Sequence, residues 1–437
     1  MTSKPGVLAE KFIAAGKNFA SKCNNCGLCL EVCPAFPLRD VAGIDYGRVM
    51  EGITGFIQGR PLTEEARRTI LCCNASCRVC SRACPEGLSL RAGITSAVIL
   101  LNRAEGLTYP PSLYPGNRLG WNKVLHSMQV KPQEARWLKR APANPEQVDV
   151  VWFTGCSMVA MPANILETVS ILESMKIKFV TLIGEELCCG ALATLWGKLE
   201  FLESMGKELA SNIAAFRPRT AVFSCPGCYR AMMDWIPQVA SVPFESRDLC
   251  GFLAENVDRI PFRHKVDRVI TVHDSCSTMY RKAYENARPL LKAVPGLKLV
   301  EMEHNGENAL CCGGIPQGQS HEIFDARRRL PLQEAQAAGA GVLATVCTGC
   351  QKSMAPLEEQ YGLEVCQYTS LIAESVGVRQ PDRLKRLLRT GSAASALKGC
   401  GGCIKANGYT KAELEQPVGD FFAANAGEAT VTPRPKA

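Results

Sequence analysis

Short apolar runs alternate with longer amphipathic stretches through the later two thirds of the chain, and the alternation occurs twice. The first cycle opens with the apolar run 148–153, the pattern of a strand buried on both faces. A helical stretch follows at 163–175, then a strand at 178–183, a second helical stretch at 199–216 and a strand at 220–223. The second cycle repeats that order: strand 268–272, helix 285–294, strand 298–302, helix 321–338, expected to be kinked or split at Pro331, and strand 341–346. Strand, helix, strand, helix, strand predicts right-handed crossovers and a parallel α/β sheet in each cycle. The amino-terminal part has a different rhythm. It carries a helix-like segment at 61–70, with Thr63 as N-cap ahead of Glu64 and Glu65, and an apolar-periodic stretch at 88–104. Pro and aromatic residues at 109–121, Pro132 and the 142–145 region predict an ordered connector between the two parts. No stretch reaches the ~18 consecutive apolar residues of a membrane span; the longest candidate, near 150–172, is broken by Asn164 and Glu167.

Composition adds one unusual fact. The 437 residues are 46% hydrophobic and 21% charged, as in a folded protein of two to four domains, but 23 of them are cysteine. That is about three times ordinary usage. The count is odd, the thiols are spread along a long chain, and residues 1–22 are mixed and basic rather than a signal peptide. A secreted disulfide framework is therefore not expected; a reducing interior, with thiolates kept for metal, is. With five histidines and none in a Cys-x2-Cys…His-x3-His arrangement, mixed Cys/His zinc sites are disfavoured. Thiolate-only ligation points to iron–sulfur clusters. The formal net charge of +8 suits an acidic partner or a membrane surface better than nucleic acid, because no basic run is interleaved with aromatics.

Cys23, Cys26, Cys29 and Cys33, followed by Pro34, spell C-x2-C-x2-C-x3-C-P, the bacterial ferredoxin run. In two-cluster proteins the fourth cysteine of each run reaches across to the other cluster, so a second run must exist. It is supplied by Cys73, Cys77, Cys80 and Cys84 with Pro85, although the first gap is one residue longer than the pattern and Cys72 stands beside Cys73. Cys72 or Cys73 is the ligand, with Cys73 favoured. The crossed assignment is Cys23, Cys26, Cys29 and Cys84 on one [4Fe-4S] cluster, and Cys73, Cys77, Cys80 and Cys33 on the other. Structural zinc knuckles are the competing reading. The helical spacer between the runs suggests an all-α two-cluster ferredoxin domain rather than a compact one with strands.

Ten further cysteines form one pattern used twice: a lone Cys, then Cys-Cys-Gly, then Cys-x2-Cys. The first set is Cys156, Cys188, Cys189, Cys225 and Cys228; the second is Cys276, Cys311, Cys312, Cys347 and Cys350. The sets are offset by about 120 residues, one per cycle, which marks a duplicated unit. Each cysteine group follows a predicted strand, so each unit can gather five thiolates at one sheet edge. Gly190 and Gly313, after the pairs, are expected to permit the tight backbone that turns two adjacent cysteines to one site. The competing reading is a buried Cys-Cys pair with a redox dithiol. Cys250 and Cys366 are not duplicated and read as ordinary buried residues.

On these motifs, over roughly residues 20–378, the chain resembles the CCG-domain proteins, above all heterodisulfide reductase in its fused, D-type form, where a small ferredoxin subunit and the catalytic subunit are joined in one chain. The resemblance implies an all-α ferredoxin domain at 1–145 with two cubane [4Fe-4S] clusters and two tandem α/β CCG domains at 146–262 and 263–378. It also implies a non-cubane [4Fe-4S] cluster on each five-cysteine set, the two facing each other across a substrate gap. Four clusters would then carry electrons to a disulfide and reduce it. His273 and Asp274, shortly before Cys276, are candidate proton donors for the released thiolates, with a strand-end His held by a backbone hydrogen bond as the plainer reading. The rival function is a non-catalytic electron-relay subunit of a larger flavin-containing oxidoreductase complex. With no flavin or nicotinamide motif, the chain is expected to take electrons from a partner subunit, whether flavoprotein, hydrogenase, formate dehydrogenase or membrane cytochrome. A hetero-oligomeric complex is expected, in the cytoplasm or at the inner face of the membrane through that partner. The remainder, 379–437, is expected to hold a basic helix at 382–389, read as a solvated face or a dock for an acidic partner, and a Gly- and Cys-containing tail. Its Cys400 and Cys403 read as incidental or structural, with a labile dithiol or half of an intersubunit metal site as alternatives.

Overall fold

A computed structural model describes residues 6–33, 36, 41–73, 79–113, 116–135, 145–184, 187–314 and 321–426. The first part is helical throughout. Helices Val7–Lys22, Tyr46–Ile57, Glu64–Cys72 and Leu90–Glu105 pack around Phe19, Met50, Ile53, Ile70 and Ile94. Thr63 caps its helix as expected, its Oγ1 accepting from Ala66 N at 3.3 Å, and the Asp45 carboxylate caps another, accepting from Arg48 N at 3.1 Å.

Two four-stranded parallel sheets follow. Strands β1 (Val150–Phe153), β2 (Phe179–Leu182), β3 (Thr220–Phe223) and β4 (Glu245–Asp248) lie in the order β2-β1-β3-β4. Strands β5 (Arg268–His273), β6 (Leu297–Leu299), β7 (Val342–Thr345) and β8 (Glu364–Gln367) repeat it as β6-β5-β7-β8. Side chains alternate between the two faces along the strands, as the pleat requires. Val150 and Trp152 face a core between the units, while Val151 and Phe153 face the helix Leu199–Ala215 and the amino-terminal helices.

The fourth strand of each sheet was not expected. Glu-Ser-Arg-Asp at β4 and Glu-Val-Cys-Gln at β8 contain too few apolar residues to read as strands; they pair on one side only, at the sheet edge, with β3 and β7. Pro331 does not split its stretch, which forms one helix, His321–Ala337. The lost N–H bond is offset by packing, since Leu332 and Ala335 are fully buried beside Leu343 and Val365 of the second sheet.

The units meet through a shared layer of four helices, Pro162–Ser174 and Leu249–Glu255 from the first and Ala287–Lys292 and Tyr368–Val376 from the second. Ile165, Val169, Leu253, Leu290, Leu371 and Ile372 form one continuous core there, which also contains Cys250 and Cys366. Buried Glu167 crosses the junction, accepting from Ser370 Oγ at 2.6 Å and Gln380 N at 3.0 Å. Burial pushes its carboxyl up to about 7.

Residues beyond 379 are not a tail over their described length. Helices Arg383–Leu388, Ala393–Gly399, Gly401–Ala406 and Lys411–Ala426 pack with the connector helix Trp121–Gln129 around Leu125, Met128, Leu387, Ile404 and Phe421. Asn407 Nδ2 donates to Ser127 O at 3.1 Å and Val130 O at 2.6 Å. The basic helix is solvated only in part: Arg386 and Arg389 are exposed, while Leu384, Lys385 and Leu387 are buried. Arg383 pairs with Glu134 at 2.7 Å, Lys385 with buried Glu358 at 2.7 Å, and Arg389 with Glu358 at 3.0 Å.

Candidate metal centres

Strand order explains how each unit gathers its thiols. Because β1 lies between β2 and β3, the three segments leaving their carboxyl ends are neighbours, and the same holds for β5 between β6 and β7. Cys156 and Cys276 follow the central strands. The pairs Cys188–Cys189 and Cys311–Cys312 lie in the loops after β2 and β6, and the Cys-x2-Cys turns after β3 and β7 enter short helices, Pro226–Arg230 and Thr348–Met354.

In the first unit the thiols touch in the order Cys156, Cys188, Cys189, Cys228, Cys225. In the second the order is Cys276, Cys311, Cys312, Cys350, Cys347, with Cys312 Sγ and Cys350 Sγ 3.1 Å apart. These are the same five positions joined in the same sequence of contacts. Gly190 and Gly313, at φ of +71° and +75°, supply the bend after each pair. A Cβ on Gly190 would lie 2.5 Å from Leu202 Cα, and one on Gly313 2.9 Å from Phe324 O, so a side chain is excluded on both counts.

The electrostatics of the thiols follow from this crowding. Hydrogen bonds from Cys188 and Cys228 hold Cys189 down to about 6, and one from Cys350 holds Cys347 down to about 7. Cys276 and Cys312 hold Cys311 well below the usual thiol range. Cys156, Cys228 and Cys350 are driven up by their thiol neighbours and by burial. A buried set in which only some thiols favour the anion is poorly stabilised as it stands; a soft cation that takes all five as thiolates suits it.

The amino-terminal cysteines fall into two groups. Cys23, Cys26, Cys29 and Cys84 line one small cavity with Phe19, Met50 and Leu88. Backbone amides already point at the sulfurs: Asn25 N donates to Cys23 Sγ and Leu88 N to Cys84 Sγ, both at 3.4 Å. Burial pushes Cys29 up to about 12, with further contributions from the nearby thiols. Cys33 lies near Cys80 and near Cys72, the latter also pushed up to about 12 by burial. Cys73 caps the helix Glu64–Cys72 and packs against the same core. Cys77 lies outside the described residues. Cys26 is exposed, so the first group reaches the surface. Cys400 and Cys403 stand apart, half-buried among the carboxyl-terminal helices.

His273 and Asp274 are both buried. His273 ends β5 fully buried, with Nε2 donating to Leu310 O at 3.1 Å. Burial lowers its pKa, favouring the neutral ring. Asp274 is fully buried and held by Arg288 through two hydrogen bonds, of 3.0 and 2.8 Å, while Gly306 N donates to it at 2.7 Å. Thr154, the matching residue of the first unit, accepts the equivalent bond from Gly184 N at 3.1 Å. Position 274 is thus a loop tether, filled by a different acceptor in each unit.

Two cations near the thiols were not anticipated from sequence. Arg327, buried in the helix His321–Ala337, acts electrostatically on both Cys72 and Cys311. Lys352 acts on both Cys156 and Cys347. The usable signal for the second was its place two residues after Cys350, where the first unit has Arg230.

The cysteine-rich CCG domain family matches residues 150–233 and 270–355, and the 4Fe-4S dicluster domain family matches residues 19–88. Fold, thiol geometry and these matches define an iron–sulfur protein with two CCG domains behind a helical dicluster domain. Along most of its length the chain is similar to the D-type subunit of the dihydromethanophenazine:CoB–CoM heterodisulfide reductase of Methanosarcina barkeri, with 26% identity over 411 residues, 86% of this chain and 98% of the relative. The corresponding protein of Methanosarcina mazei is 25% identical over 415 residues, with the same coverage. A subunit of the fumarate reductase (CoM/CoB) of Methanothermobacter marburgensis is 22% identical over 355 residues, 78% of this chain and 68% of the relative. The chain is like the D-type heterodisulfide reductase subunit over most of its length. Among the described residues no helix is long and apolar enough to cross a membrane.

Proposed function

We propose that the chain is the disulfide-reducing iron–sulfur subunit of a hetero-oligomeric complex. The observation that carries this reading is the identical order of thiol contacts in the two units, because two equivalent five-thiolate sites on facing units suit a substrate with two equivalent ends. Iron–sulfur clusters held by the two sets, fed by two cubane clusters in the helical domain, would supply the two electrons. The balance is R–S–S–R′ plus two electrons and two protons, giving R–SH and R′–SH, with the electrons coming from a partner subunit and the protons from solvent.

The chain's own residues suggest a direction of flow. Cys26 brings the group of Cys23, Cys29 and Cys84 to the surface, where a donor can approach. Cys80 lies near both Cys29 and Cys33, which links the first group to the second. Arg327 then spans from Cys72 to Cys311, and Arg82 reaches from the helical domain to Asn308 Oδ1 at 3.3 Å. The second unit is the natural point of entry, and the first unit the last to be reached.

A specific observation favours the relay reading as second choice. A cavity lined by both units, with Pro226 and Tyr229 on one side and Ser277, Thr278 and Tyr368 on the other, is small, and none of the ten paired-set thiols lines it. Anaerobic purification with partners, followed by assay of electron transfer to a disulfide and to an artificial acceptor, separates the two. Disulfide turnover lost in Cys311→Ser while the artificial acceptor is still reduced supports the proposal. Absence of disulfide turnover in the native complex leaves the relay.

A further inference from the structure

We infer that the ammonium of Lys352 is a counter-charge shared by the two five-thiol sites, so that both take up electrons more readily than either would without it. This rests on the proposal that both sets hold iron–sulfur clusters.

The placement begins with the helix Thr348–Met354, which carries Cys350 of the second unit and packs against the turn Ser157–Ala160 just after Cys156 of the first. Both neighbours of Lys352 are pinned. Asn164 Nδ2 of the first unit donates to Gln351 Oε1 at 2.8 Å, with both side chains buried, and Ser353 Oγ donates to Cys312 O at 2.6 Å. The helix is thereby fixed to the other unit on one side and to its own cysteine pair on the other. Lys352, half-buried between these anchors, has its charge felt by Cys156 in one set and Cys347 in the other. Burial works against that charge, and the two thiols work for it. Among the described residues it forms no ion pair with a carboxylate.

Its counterpart, Arg230, two residues after Cys228, is differently engaged. It lies 3.8 Å from Asp234 and stacks over Trp235 at 5.1 Å and Tyr280 at 5.7 Å. Arg230 is thus engaged by a carboxylate and two rings, and Lys352 lies beside thiols of both sets. An ammonium in a site of low dielectric stabilises added negative charge, so removing it makes reduction harder at every cluster it faces. Because Lys352 faces both, the effect belongs to both.

The test is a redox titration followed by electron paramagnetic resonance in the full chain. Each site is read alone in a background that lacks the other, Cys188→Ser or Cys311→Ser. Lys352→Met and Lys352→Gln are expected to move the midpoint potential to more negative values in both backgrounds, and Lys352→Arg to restore it. Unmoved potentials at full iron content, or a shift confined to one site, overturn the inference. So does a raised KM for an anionic disulfide with potentials unchanged, which would give the ammonium to the substrate. A wild-type chain without iron at either set overturns the cluster reading itself, which is recognisable before any variant is made.

Discussion

The two CCG units share their strand order and sulfur geometry and differ in the charged groups around the thiols. Cys156 with its four partners and Cys276 with its four partners touch in the same order. Yet the loop tether is neutral Thr154 in one and the ion-paired Asp274 in the other, the strand end is Phe153 in one and His273 in the other, and Arg230 stands where Lys352 does. What the duplication has kept is the donor set; what has diverged is the charge near it. Divergence of charge around a constant ligand geometry is how one fold can set two like clusters at different potentials.

The strongest way to break the comparison is to remove one central thiol. Cys188→Ser and Cys311→Ser should each empty one unit of its iron and leave the other loaded, with disulfide turnover falling at least the ~10–100-fold that even outer-sphere changes cost a metal site. Iron quantification per chain reads the first effect and steady-state assay the second. Should either serine variant empty both units, the sites are not independent.

Next in size is the tether. Asp274→Asn takes the buried negative charge from Arg288, which still pairs with Glu301 at 2.8 and 2.9 Å, and should destabilise the second unit by about 1.5–3 kcal/mol. Thr154→Ala, the matching change, removes one neutral hydrogen bond and should cost only about 1 kcal/mol. Chemical denaturation of the anaerobic protein measures both. Equal losses would mean that the Asp274–Arg288 pair adds nothing to the loop tether.

The junction between the units supplies a pH test of intermediate size. Glu167 titrates near 4.5 when unfolded, and burial raises it to about 7 in the fold. A raised carboxyl contributes fully below the unfolded pKa and loses that contribution as pH rises from there through about 7, by roughly 3 kcal/mol in total. Glu167→Gln keeps an acceptor for Ser370 and Gln380 and should flatten the decline between pH 5 and 8, as thermal unfolding across that range would record. A slope unchanged in the variant would assign the decline to another group.

Much of this architecture is written in the sequence, and the omissions have physical causes. Strands β1, β3, β5 and β7 are buried on both faces, so their apolar runs stand out. Edge strands β4 and β8 carry charge because one side is free, and they left no such signal. The helices Ala393–Gly399 and Gly401–Ala406 are short and interrupted by glycine; they exist because Leu397 and Ile404 pack against Leu125 and Met128, far away in sequence. The ligand groups were legible because a repeated spacing needs no tertiary information. The tether role of Asp274 was not, because Arg288 and Gly306 meet it only in the fold. Lys352 reads as a surface residue until the first unit's Asn164 is seen holding the helix beside it.

The central claim, that both five-thiol sets are cluster sites equivalent in geometry, is tested most directly by iron and acid-labile sulfide content per chain after anaerobic purification. The account predicts about sixteen of each, four clusters of four, with the ten paired-set thiols closed to alkylation. A value near eight, with those ten thiols open to reagent, would contradict it.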